Sequence, residues 1–346
     1  MTTLDEDELP PSAPLTPKPK AEQETVDPSI PYSNYFTSKN FIENEAGEKF
    51  CYYARGQEYR NVAIVCIHGA GFSGLSFAQF AAGMADDAFI ISVDLRGHGF
   101  SCDGEMSAQQ FKTDLNWMIP AVLQKHSQQQ DQFKIDQFKI VLVGHSLGGS
   151  LITLVQSPVI EVLCYVLIDI TEHTALASLP NMLDILKRKP QQYPTKSELV
   201  QTYLRQRTLT SQKAIRIQLD GLLTNTLKVR NSLLNSQNHW RGWFEGLNDR
   251  FISSPAWKLL LVSSLEKLDR DHEIAMMQGK IAVEVVPGAV HNLHEDQVEK
   301  VVLIVQEYLR KLHFTQNLMT VPMDFKRGLI FEEKPDELEM IKRKVE

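Results

Sequence analysis

Short apolar runs recur along the chain: VAIVCIHG at 62–69, AFIISVDL at 88–95, FKIVLVGH at 138–145, VLCYVLIDI at 162–170, WKLLLVSS at 257–264 and IAVEVVPG at 281–288. Runs of this length with little polar alternation predict strands covered on both faces, the pattern of a parallel sheet. The segments between them can hold crossover helices, so the expected fold class is α/β, a mostly parallel, doubly wound sheet. The last helix is the clearest, with Val298, Val301, Val302, Val305, Leu309 and Leu312 at helical spacing behind the acidic start HEDQVE. Ahead of the first run, FIENEAGEKFCYYARG predicts a hairpin that turns around Glu45 to Glu48.

Between Thr171 and about Arg250 the strand rhythm stops, and segments such as KSELVQTYLRQ and SQKAIRIQLDGLLTNT read as helices. An insertion there lies at the carboxyl ends of the strands, where open α/β sheets bind ligands, and it predicts a helical cap. Residues 1–30, acidic and then proline-rich, read as a disordered tail. The expected organisation is that tail, a catalytic domain over 31–313 carrying the cap at about 171–250, and a C-terminal tail over 314–346. The end of that last tail, KPDELEMIKRKVE, has the proline, acids and bases in the order of a helix.

Composition narrows the possible partners. The 346 residues carry 36 Lys and Arg against 43 Asp and Glu, a net charge of -7, which argues against binding nucleic acid through its phosphates. Mean hydropathy is -0.22, and no apolar run is long enough to span a membrane. The N-terminus lacks the basic and apolar regions of a secretory signal, so the expected location is cytoplasmic, with the nucleus as a second compartment. Cys51, Cys66, Cys102 and Cys164 are scattered, which predicts reduced thiols rather than a disulfide framework or a metal site. A monomer without metal or cofactor is expected.

The chemistry centres on VLVGHSLGGS, 141–150. A strand, a G-x-S-x-G turn and a helix start place Ser146 at a sharp elbow, with Gly144 and Gly148 permitting the turn, and this predicts a nucleophile. An oxyanion hole needs the amide of Leu147 and one from the loop after the first central strand, where IHGAG nominates Ala70. DLRGHG at 94–99 reads as structural. The order serine, acid, histidine requires a base near the end of the chain. His291 and His294 both lie between the last strand and last helix, and His291 is the expected base, with His294 as a capping or surface residue. Asp169, Glu266 and Asp269 all follow suitable strands, and spacing leaves the acid open among them.

The chain resembles the protein phosphatase methylesterases, which remove the methyl ester from the C-terminal leucine of the protein phosphatase 2A catalytic subunit. The resemblance rests on PYSNYF at 31–36, IHGAGFSGLSFA at 67–78, VDLRGHG at 93–99, VGHSLGGS at 143–150, LIDITEHTALASL at 167–179, HWRGWFEGLNDRFISSPAWKLLL at 239–261 and LEKLDRDHEIAMMQGK at 265–280. It spans about 31–313 and weakens between about 183 and 238. It implies an α/β-hydrolase fold, a Ser146–Asp169–His291 triad and the phosphatase catalytic subunit as protein partner. The family's usual glycine before the catalytic histidine is Val290 here, and an acidic insertion that some members carry in the cap is missing. The cap and the MQGK segment, with Gln278 and Lys280, are the expected substrate contacts. Two other functions fit the motifs: a serine hydrolase on lipid or small-molecule esters, and a hydrolase-fold scaffold that binds the phosphatase without catalysis.

Overall fold

The computed structural model describes residues 28–56, 62–127, 139–231, 233–288 and 290–312. Most of the expected N-terminal tail and the helix expected at the C-terminus lie outside the described residues. Eight strands form one sheet: β1 (Ser38–Glu43), β2 (Lys49–Arg55), β3 (Val62–Ile67), β4 (Phe89–Val93), β5 (Lys139–His145), β6 (Val162–Ile168), β7 (Trp257–Val262) and β8 (Ala282–Val285). Their order is β1-β2-β4-β3-β5-β6-β7-β8. The β1–β2 hairpin joins the sheet antiparallel at β4, and every pair from β4 to β8 is parallel. All six expected runs are strands; β5 continues to the last residue of its run, and the other five end two or three residues before theirs.

The continuous apolar runs follow from burial on both sides. Every residue of β3 is buried, yet its side chains still alternate: Ala63, Val65 and Ile67 join one core, and Val62, Ile64 and Cys66 the other. The first core lies under α2 (Ala108–Ser127), α3 (Leu147–Ile152), α7 (Trp240–Phe244) and α8 (Leu247–Ser253). The second lies under α1 (Ala78–Met84) and α11 (Val298–Lys311), whose Val301, Val302, Val305 and Leu309 face inward. Burying such side chains on both faces is worth about 1.5–3 kcal/mol each, and it fixes the register of the central strands.

The insertion between β6 and β7 divides in two. α4 (Glu172–Arg188), α5 (Lys196–Arg205) and α6 (Gln212–Leu222) come first, and α5 and α6 enclose a small core of their own from Leu199, Tyr203, Ile215 and Leu219. Trp240, Trp243, Phe244 and Phe251 of α7 and α8 instead enter the main core, with Trp243 Nε1 donating to Met106 O at 2.6 Å. The block HWRGWFEGLNDRF is therefore part of the hydrolase body. Residues 28–30, placed in the tail by their composition, are bonded to α6: Ile30 N–H donates to Arg216 O at 3.0 Å, and Arg216 Nε to Pro28 O at 2.6 Å.

Candidate active site

The chain reverses direction across the sheet between β3 and β5, and the loops after β3, β5, β6 and β8 meet at the carboxyl ends of the strands. Ser146 ends β5 with φ 51° and ψ -118°, the strained conformation of a nucleophile elbow. Its neighbours show why glycine is required. A Cβ on Gly144 would lie 2.4 Å from Gly148 O, and one on Gly148 would lie 2.1 Å from Ile67 O. The strained backbone is held by Ser146 N–H donating to Ile168 O at 3.0 Å.

Two amides near this serine lack partners: the loop after β3 comes close enough that a Cβ on Gly69 would lie 3.3 Å from Ser146 Cβ. The N–H groups of Leu147, at the start of α3, and of Ala70, in the loop after β3, donate to no oxygen among the described residues. DLRGHG supports the second of these loops from behind. Asp94 accepts the N–H groups of Gly74 and Phe100 at 2.7 and 2.8 Å, and Arg96 forks onto Asp114 with two 2.8 Å bonds. His98 Nδ1 donates to Arg96 O at 2.9 Å, which leaves Nε2 to accept Gly71 N–H at 3.0 Å. Burial lowers His98 to about 4, so the ring is neutral and able to accept. The motif thus anchors the loop after β3 through a backbone bond, as its structural reading anticipates.

His291 lies in the loop after β8, and its Nδ1 meets Asp169 Oδ2 at 2.7 Å. The other Asp169 oxygen accepts Ser263 N–H at 2.9 Å. Burial alone would raise the Asp169 carboxyl, but the hydrogen bond and charge of His291, and then those of Lys267, outweigh it and hold the group below its usual value. Glu266 is exposed. Asp269 faces elsewhere, accepting His173 N–H and Asn248 Nδ2 at 2.9 Å each. Of the three candidate acids, only Asp169 is hydrogen-bonded to His291.

His145, the residue before Ser146, ties the His291 loop to the elbow: its Nε2 donates to His291 O at 3.1 Å, and the two rings are 4.7 Å apart. His294 corrects the sequence reading, for it is neither a cap nor at the surface. The single turn of α10 (Leu293–Asp296) points its ring inward, where it stacks on Phe77 at 4.4 Å with no exposure. Burial keeps His145 well below the usual imidazole range and His294 near 3. Ser146 Oγ makes no hydrogen bond to a described residue, a contact that often tightens only when substrate is bound. Val290, which stands where the resemblance implies glycine, exposes its side chain. Gln278 and Lys280 are exposed just after α9 (Arg270–Met277), with no hydrogen bond to Ser146, Asp169 or His291.

Comparison with known proteins places the chain in a family. The model of the alpha/beta hydrolase family matches residues 64–302. Protein phosphatase methylesterase 1 of Gibberella zeae is 31% identical over 299 residues, covering 82% of this chain and 74% of that relative. The chain belongs to the protein phosphatase methylesterase family. The Candida albicans member is 30% identical, with 89% of this chain and 87% of the relative covered, and the Mus musculus member is 25% identical, with 83% and 86% covered. Among solved structures, E-2-(acetamidomethylene)succinate hydrolase shares the fold with TM-score 0.65 at 18% identity, over 79% of this chain and 99% of that one. This methylesterase-family chain is thus an α/β-hydrolase enzyme. No helix among its described residues is long and apolar enough to cross a membrane.

Proposed function

We propose that the chain hydrolyses the methyl ester on the C-terminal leucine of the protein phosphatase 2A catalytic subunit, releasing methanol, with Ser146 as nucleophile, His291 as base and Asp169 as acid. The observation that carries this reading is the 2.7 Å bond from Asp169 to His291 beside an elbow serine flanked by two unpartnered amides. Ser146 Oγ attacks the ester carbonyl as His291 Nε2 takes its proton, while Asp169 fixes the Nδ1–H tautomer and stabilises the imidazolium. The amides of Leu147 and Ala70 hold the oxyanion, each such donor being worth about 10²–10³ in rate. His291 then protonates the departing methoxy group, and a water activated by the same ring cleaves the acyl-enzyme.

A methoxy group offers little surface, so specificity comes from the peptide and the phosphatase body. We place those contacts on the cap and on the exposed segment at Gln278 and Lys280. The test is loss of methyl ester from methylated phosphatase catalytic subunit, incubated with the wild type and with Ser146→Ala. Rapid loss with the wild type alone is expected; equal loss with both would refute the reading.

A further inference from the structure

The acyl-transfer steps leave one charge at the site without a role. Asp169 Oδ2 receives two donors, His291 Nδ1 at 2.7 Å and Lys267 Nζ at 2.5 Å. The same ammonium donates to the backbone oxygen of Val290 at 3.2 Å, one residue before the base. Lys267 is itself well fixed: its N–H donates to Ser264 O at 3.2 Å, and its carbonyl accepts Thr171 Oγ1 at 3.0 Å and Thr174 Oγ1 at 3.4 Å. One cation therefore links the acid after β6, the loop after β7 and the loop that carries the base.

We propose that Lys267 is a positioning residue that clamps the His291 loop onto Asp169 and offsets part of the negative charge that His291 meets there. The proposal rests on the assignment of Ser146, His291 and Asp169 as the triad. Its mechanical part follows from the bond to Val290 O. Without the ammonium, the hydrogen bonds that His291 itself makes among the described residues are those to Asp169 and to His145, while its neighbour Asn292 donates to Thr208 O at 2.8 Å.

The electrostatic part has a definite sign. A carboxylate beside an imidazole favours the protonated ring, and a cation on that same carboxylate opposes it. The titratable groups facing His291 are Asp169 at the end of β6, Lys267 in the loop after β7, His145 at the end of β5 and His294 in α10. Burial keeps both of those histidines neutral, so Asp169 and Lys267 supply the local charge. Removing Lys267 leaves the carboxylate uncompensated, favours the imidazolium and moves the acid limb of reactivity to higher pH. For a partly exposed cation several ångströms away the expected movement is on the order of one pH unit. A residue that served only to hold the fold would leave the midpoint of that limb in place.

The test is the rate of Ser146 labelling by a fluorophosphonate probe from pH 5 to 9, in the wild type, Lys267→Met, Lys267→Arg and Ser146→Ala. Lys267→Met is expected to label about tenfold more slowly along the acid limb, which is displaced upward by about one unit. Lys267→Arg, which keeps the cation, should return the limb to its wild-type position. Thermal melting checks that each variant folds, and Lys267→Gln replaces the methionine variant should that one not fold. A neutral variant with the wild-type limb, or an arginine variant displaced as far as the methionine one, overturns the clamp. An unlabelled wild type, or a Ser146→Ala protein labelled equally well, overturns the triad assignment instead.

Discussion

Ser146 and His291 meet at one site on loops built in opposite ways. The elbow is built from one short stretch, β5, two glycines and the first turn of α3, seated against the ends of β3 and β6, and its close contacts are backbone against backbone. The histidine loop has a half-exposed imidazole whose ring bonds to a residue 122 positions away and whose backbone bonds to one 146 positions away. Ser146 is thus preorganised by steric necessity, while His291 is held by a few polar contacts that can be altered one at a time. Damage to the elbow should act as a unit, and damage to the histidine loop should be graded.

The largest expected effect is Ser146→Ala, which should lower turnover about 10⁶-fold, as loss of the nucleophile does in serine proteases. Methanol release checks it. Asp169→Asn should cost about 10⁴-fold through the wrong tautomer of His291, whereas Asp269→Asn should leave turnover within a few-fold and lower stability by about 1–3 kcal/mol, read by urea unfolding. Activity following Asp269 instead would break the contrast by moving the acid to another loop.

Gly148→Ala probes the elbow alone. The added Cβ would meet Ile67 O at 2.1 Å and His68 O at 2.7 Å, so β3 and the oxyanion loop must shift together. A displacement of about 1 Å predicts a rate loss of roughly 10²-fold, together with a lower melting temperature. The smallest effect is on stability at low pH. Because the Asp169 carboxyl is held below its usual value in the fold, its contribution is complete above the unfolded value of about 3.9 and is lost as pH falls through the lower folded value. The stability gap between the wild type and Asp169→Asn should be constant above about pH 5 and should narrow below pH 4.

What was legible in the sequence follows the same division. The strands of the parallel sheet announce themselves because burial on both faces removes polar alternation, and the elbow does so because its glycines stand two positions either side of Ser146, with Gly144 held free of a side chain by Gly148 O four residues on. The acid stayed open on spacing because Asp169, Glu266 and Asp269 all follow strands, and only the packing of β6 beside β7 turns one of them toward His291. His294 was misread because a single helical turn points it at Phe77, a contact made across the fold. Lys267 went unnoticed, as a lysine among charged residues in LEKLDRD carries no local sign of an ammonium lodged between an acid and a distant carbonyl.

The central claim is that His291, oriented by Asp169, activates Ser146. Its most direct measurement is the fluorophosphonate labelling rate with the site of the adduct read by peptide mass, in the wild type and in His291→Ala. The account predicts an adduct on the peptide containing Ser146, formed orders of magnitude more slowly when the imidazole is removed. An adduct on another residue, or a rate unchanged in His291→Ala, would contradict it.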